Sequence, residues 1–190
     1  TNTVLRQALT ATKGWQRTAP YVGVAVNVSA ETVLDPTFAA ELQDILSSTQ
    51  ADPRLLTLEL TEGVVVDDAD LAVVRMTALR QLGVRLSVDD FGTGYSSLTY
   101  LKGLPVDEVK IDKGFVRHLV EDPADRAVVR AVVDIAHTLG MDVGAEGVEQ
   151  EDQQEVLRAL GVDELQGYLL ARPMPAMDVA LWLRRHRAAH

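Results

Sequence analysis

Leu82-Gly83-Val84-Arg85-Leu86-Ser87-Val88-Asp89 decides the fold. A helical pattern stops on a glycine, a short aliphatic run follows, and a carboxylate closes it. The unit recurs at Leu104-Pro105-Val106, Leu139-Gly140-Met141 and Leu160-Gly161-Val162, and five or six residues after the Gly or Pro come Lys110, Glu146 and Gln166. Repeated units that each bring a polar group to a strand's C-terminal end predict a parallel sheet with helical crossovers. They fit a (β/α) barrel better than an open sheet.

Working outward, strands are expected at 22–28, 55–60, 84–89, 108–112, 142–146 and 164–169. Helices are expected at 4–15, 35–47, 67–82, 97–102, 124–139, 149–160 and 176–187. Asp35-Pro36 and Asp122-Pro123 each read as an N-cap followed by a Pro in the first turn, and Gly83, Gly140 and Gly161 read as helix stops. Over 124–139, Val128, Val129, Val132, Ile135, Ala136 and Leu139 form one apolar stripe.

Side chains alternate faces along a strand. Aliphatic residues take one face of each run here, leaving the small and polar residues for the barrel interior. Asn27, Glu59, Asp89, Lys110, Glu146 and Gln166 are thereby aimed at one axis. Taken singly, each could be a strand-end residue satisfied by the backbone, or an ion-pair partner. Together, with Asp90 beside them, they are too many carboxylates for one lysine to neutralise in a dry cavity. Oxygen ligands from Asn, Asp and Glu suit Mg²⁺ or Mn²⁺, so a divalent-metal site is expected. In Asp89-Asp90-Phe91-Gly92-Thr93-Gly94-Tyr95-Ser96-Ser97-Leu98, Gly92 and Gly94 allow a tight loop over that site. Adjacent aspartates diverge by the pleat unless the strand terminates between them.

Composition sets the outer bounds. The chain has 190 residues, 47% hydrophobic, with no Cys, and Lys+Arg 18 against Asp+Glu 28 gives a net charge of −10. One globular domain with a real core is expected, in a reducing, cytoplasmic setting, without disulfides or thiolate-bound metals. No apolar run approaches the roughly 20 residues of a membrane helix. The acidic balance argues against binding a nucleic-acid polymer.

The residues that carry the polar groups also carry a resemblance. Val26-Asn27-Val28-Ser29, Glu59-Leu60-Thr61-Glu62, the stretch 89–98, Lys110-Ile111-Asp112, Ala145-Glu146-Gly147-Val148-Glu149, and Gln166-Gly167-Tyr168 with Arg172-Pro173 follow one another in the order of the motifs of the EAL-domain family of bacterial cyclic di-GMP phosphodiesterases. The chain resembles that family over essentially its whole length. The resemblance implies a TIM-like barrel that hydrolyses cyclic di-GMP to linear pGpG with Mg²⁺ or Mn²⁺, two ions in all. It implies Asn27, Glu59 and Asp89 around one metal, with Asp89 bridging to a second and Asp90 and Glu146 nearby. Lys110 would orient or deprotonate the attacking water, and Gln166 would orient water or ligands. Glu62 would anchor the loop of Phe91, Gly92, Thr93, Gly94 and Tyr95 on the substrate side. A homodimer, and fusion to or regulation by other signalling domains, are also expected.

The family's namesake Glu-Ala-Leu does not occur in these 190 residues, and six strands are counted where a barrel has eight. An EAL domain lacking its first strands is therefore expected. The alternative function is a non-catalytic cyclic di-GMP receptor or protein-interaction module. A Schiff-base role for Lys110 is disfavoured, because neighbouring carboxylates keep a lysine protonated.

Overall fold

A computed structural model of the chain describes residues 1–61, 69–92 and 101–187. Six parallel strands, β1 (Val24–Val28), β2 (Leu56–Thr61), β3 (Arg85–Phe91), β4 (Glu108–Ile111), β5 (Asp142–Ala145) and β6 (Glu164–Leu165), form one sheet in chain order. The helices are α1 (Asn2–Trp15), α2 (Ala30–Leu34), α3 (Phe38–Thr49), α4 (Ala69–Gln81), α5 (Lys113–His118), α6 (Pro123–Thr138), α7 (Glu151–Leu160) and α8 (Ala176–Arg187). This is an α/β fold of TIM-like type.

The sheet curls. Ala25 of β1, Thr57 and Glu59 of β2, Glu108 and Lys110 of β4, and Leu165 of β6 all line one interior cavity of about 250 Å³. The opposite face carries the aliphatic set. Leu56, Leu58, Leu60, Leu86, Val109 and Val143 are fully buried, in one core cluster with Leu42 and Ile45 of α3, Met76 of α4, Val129 of α6 and Leu157 of α7. Alternation thus sorts the strands as expected, with aliphatic residues against helices and polar ones inward. Among the described residues, no helix is long and apolar enough to cross a membrane.

Several local expectations are corrected. The helix expected at 35–47 starts three residues later, as α3, and a short helix not expected there, α2, precedes it. Ser29 caps α2, accepting from the Thr32 amide, and Asp35 sits at the other end of α2 with φ −63° and ψ 124°. A residue before proline is pushed out of the helical region, so Pro36 ends α2. The Asp35 carboxylate instead accepts from the amide and hydroxyl of Thr37, the residue that precedes α3. Asp122-Pro123 behaves as expected: Asp122 accepts from the Ala124 amide at 2.7 Å and Pro123 opens α6. The stripe of α6 is rotated from the expected one, since Val129, Val133 and Ala136 are buried while Val128 is 39% exposed. The last strand is only two residues long, because its chain then folds over Val148. The helix expected at 97–102 falls mostly outside the described residues, as do Glu62, Thr93, Gly94 and Tyr95.

Candidate active site

The site gathers at the C-terminal end of the strands, where backbone pairing delivers each residue. Asn27 pairs with Glu59 across β1 and β2, Thr61 with Asp89 across β2 and β3, and Lys110 with Gly144 across β4 and β5. The Glu146 amide donates to Ile111 and the Gln166 amide to Ala145, which carries the staggered ladder past the ends of β5 and β6.

Asp89 and Asp90 reach the site together through a bulge. Val88 pairs with Val109 and Phe91 with Ile111, so three steps along β3 oppose two along β4. The extra residue is Asp90, whose φ of +55° lies in the left-handed region. That local reversal overrides the pleat. Carboxylate oxygens of Asp89, Asp90 and Glu146 all lie within 4.8 Å of one another. The strand therefore does not end between the two aspartates, as the pleat alone would require; it bulges there. Phe91, expected in the loop, is the last residue of β3 and is buried in the core.

Lys110 ties the cluster together from the barrel interior. Its side chain is 6% exposed, and Nζ donates to Glu59 Oε1 at 2.6 Å, to Glu146 Oε1, and to Gln166 Oε1 at 3.4 Å, with Asp89 Oδ1 at 3.9 Å. Burial alone would depress the lysine's pKa, but the carboxylates of Glu146 and Glu59 outweigh it and hold the ammonium well above its ordinary value. Lys110 thus stands here as a hydrogen-bond donor to these carboxylates. Asp90 moves the other way. Burial, the charges of Asp89, Asp112 and Glu146, and a hydrogen bond with Asp112 push its carboxyl above the usual range. Such mutual repulsion is relieved by a bound cation.

The expected residues are brought together unequally. Glu59, Asp89, Asp90, Lys110 and Glu146 form the cluster, and Gln166 touches it through Lys110. Asn27 and Gln166 are both exposed, on or beside the outer strands. Two further acids stand at the site that strand-end position alone does not single out. Asp112 caps α5 through the Gly114 amide while lying beside Asp90. Glu108, 6% exposed, lies in the interior beneath Lys110; burial first, then the charge of Glu164, push its carboxyl up. Its inward parity with Lys110 is the available signal for it.

Comparison with known proteins gives this geometry a family. A profile of the family described as EAL domain matches residues 1–173. MucR of Pseudomonas aeruginosa, a bifunctional diguanylate cyclase/cyclic di-GMP phosphodiesterase, is 47% identical over 153 residues, 80% of this chain and 22% of MucR. The structure of the MucR phosphodiesterase in complex with c-di-GMP matches with a TM-score of 0.88 at 42% identity, over 94% of this chain and 72% of that one. PA2567 of the same organism, a cyclic di-GMP phosphodiesterase, is 40% identical over 182 residues, 96% of this chain and 31% of PA2567. The manganese and cyclic di-GMP complex of BlrP1 from Klebsiella pneumoniae matches with a TM-score of 0.81 at 30% identity, over 88% of this chain and 43% of BlrP1. The chain spans about a fifth to a third of the length of these curated relatives.

Proposed function

Because this chain belongs to the EAL domain family, we propose that it carries the catalytic site of a cyclic di-GMP phosphodiesterase that uses Mg²⁺ or Mn²⁺ and releases linear pGpG. The observation that carries the reading is the convergence of the Asp89, Asp90 and Glu146 oxygens within 4.8 Å, beside a Lys110 already bound to Glu59 and Glu146.

The donor set fits the metal. Three carboxylates at hard-ligand spacing, one with its pKa raised by burial and then by its acidic neighbours, favour a small oxygen-seeking divalent ion. Asp89, Asp90 and Glu146 would hold it, with Glu59 and Asn27 beside them, and two ions are the proposed complement. Such ions supply an acidic water and charge neutralisation at the phosphoryl oxygens.

In the proposed reaction, water attacks phosphorus in line and the bond to one ribose 3′-oxygen breaks, so that the 3′-oxygen leaves with a proton. Lys110 takes the role of a positively charged donor. Its Nζ orients the water or a phosphoryl oxygen, and its charge stabilises the anionic transition state. Gln166 accepts from Nζ, as Glu59 does, and helps to fix its direction. Glu62 is proposed to anchor the loop that Gly92 begins, with Thr93, Gly94 and Tyr95 on the substrate side. We place the domain in the cytoplasm, as a homodimer within a longer signalling protein.

The test is turnover of cyclic di-GMP in Mn²⁺ and in Mg²⁺, with the product separated chromatographically. Metal-dependent appearance of pGpG supports the reading. Tight binding of cyclic di-GMP without turnover would assign a receptor instead.

A further inference from the structure

Gln153, in the third position of α7, is a polar side chain only 5% exposed to which the proposed reaction gives no part. Its Oε1 accepts from the amides of Glu149 at 2.9 Å and Gln150 at 3.0 Å, and its Nε2 donates to the Val116 carbonyl of α5 at 3.3 Å. Capping α7 needs only the bond to Gln150, the residue that precedes the helix. The other two bonds fasten the loop after Glu146 to α5.

That short helix stands between the carriers of the metal-holding carboxylates. On one side Asp112, the residue before it, shares a hydrogen bond with Asp90, and its Phe115 ring lies against Gly92, where a Cβ would stand 3.0 Å from Cε2. On the other side Gly147, at φ +70°, passes so close to Lys113 that a Cβ would stand 2.6 Å from the lysine Cβ. Backbone bonds tie the same loop to β4, through the Glu146 amide and Ile111, and to the chain after β6, through the Val148 amide and Gln166. Gln153 supplies its tie to α5. The separation of Glu146 from Asp89 and Asp90 is therefore set across that helix.

We propose that Gln153 is a positioning residue of the metal site: through α5 and the loop 147–150 it holds Glu146 at the spacing from Asp89 and Asp90 that a small ion requires. The proposal rests on the phosphodiesterase reading only for assigning a divalent metal to these carboxylates. Residues behind the ligands fix where ligand atoms stand. A displaced carboxylate matters unequally to different ions, because Mg²⁺ demands near-ideal octahedral geometry while Ca²⁺ accepts longer and less regular coordination.

Calorimetric titration of the 190-residue chain with Mg²⁺ alone and with Ca²⁺ alone, well below the thermal midpoint, tests this. Gln153→Leu should weaken Mg²⁺ binding at least fivefold and Ca²⁺ binding less than twofold. Gln153→Glu keeps an acceptor for the two amides but loses the donor to Val116. It should show the same preferential loss, and it serves alone if the leucine variant fails to fold. A merely structural role would leave the ratio of the two affinities where it was, since partial unfolding scales both ions alike. Unchanged Mg²⁺ binding in either variant, or equal weakening for both ions, overturns the proposal. Failure of the unsubstituted chain to bind either ion would overturn the metal assignment and the proposal with it. Selective loss of Mg²⁺ in the variants, with no turnover of cyclic di-GMP by the unsubstituted chain, would count against the phosphodiesterase alone and leave the positioning role standing.

Discussion

Asp89 sits at the junction of the two charge systems, 3.9 Å from Lys110 Nζ and within the oxygen group it shares with Asp90 and Glu146. Its Oδ1 also accepts the Asp90 amide at 3.0 Å, which steadies the left-handed residue that follows. Asp89→Asn keeps the shape and an amide-accepting oxygen but removes a charge from the centre of the donor set. Turnover is expected to fall at least about a hundredfold, with the thermal midpoint close to that of the original chain. Undiminished turnover would remove Asp89 from the metal's ligands. Much of this site is legible in the residues alone, because parity on a strand is a hard rule and Glu59, Asp89, Lys110 and Glu146 obey it. Asp90 does not, since a bulge breaks parity locally. The bulge leaves a trace in the sequence all the same: Val88 and Phe91 are both apolar and three apart, a spacing that one face of a regular strand does not allow.

Elements are held in place by a few tight passages. After β6 the chain crosses Val148, whose amide donates to Gln166 and whose carbonyl accepts from Leu169. Gly167 lies between these bonds, and a Cβ there would stand 2.1 Å from the Val148 carbonyl oxygen. Backbone cannot yield as a side-chain tip does. Gly167→Ala is expected to cost about 2 kcal/mol or more and lower the thermal midpoint by about 5 °C, and to cut turnover by moving Gln166 off Lys110. A thermal scan and an activity assay of that variant check both. A second passage joins α6 to β5. Asp163 accepts from His137 Nε2 and from the Val143 amide, both at 2.8 Å. Burial works to raise its pKa, yet these hydrogen bonds prevail and hold it below the ordinary 3.8. A carboxylate with a depressed folded pKa stabilises the protein above its unfolded value and loses that contribution as pH falls through the folded one. Urea midpoints at pH 6 and pH 3 should therefore draw together more for Asp163→Asn than for the original chain; an equal fall in both would show the brace to be energetically idle. Helix positions follow from the sequence where an aspartate and proline agree, as at 122–123. They do not at Pro36, where the same pair closes one helix just before another begins, because a proline's effect on the residue before it can be read as a start or as a stop.

At the scale of the molecule the balance lies between a contact of the first and last helices and an open sheet. On the outside, α1 meets α8, with Trp15 Nε1 donating to the Ala176 carbonyl at 2.8 Å. Inside, β1 pairs only with β2 and β6 only with β5 among the described residues, so the sheet has two edges. Parity predicts which residues face the axis but carries no information on whether strands at the two ends meet. Asn27 and Gln166 are exposed as a result, and Tyr21, just before β1, is 92% exposed. An edge strand presents unpaired N–H and C=O groups that another chain can take up, and a closed barrel removes that hazard. β6, with two residues, offers little purchase; β1, with five, offers a ladder beside an exposed aromatic ring. The 190-residue polypeptide on its own is therefore expected to associate through the β1 edge, and to turn over cyclic di-GMP weakly because Asn27 stands in water rather than against a metal. Sedimentation velocity across the micromolar range should show species heavier than 20.7 kDa whose share grows with concentration. A single species of that mass at every concentration, with full Mn²⁺-dependent turnover, would mean that the helical contact between α1 and α8 suffices to protect the edge and to dry the site.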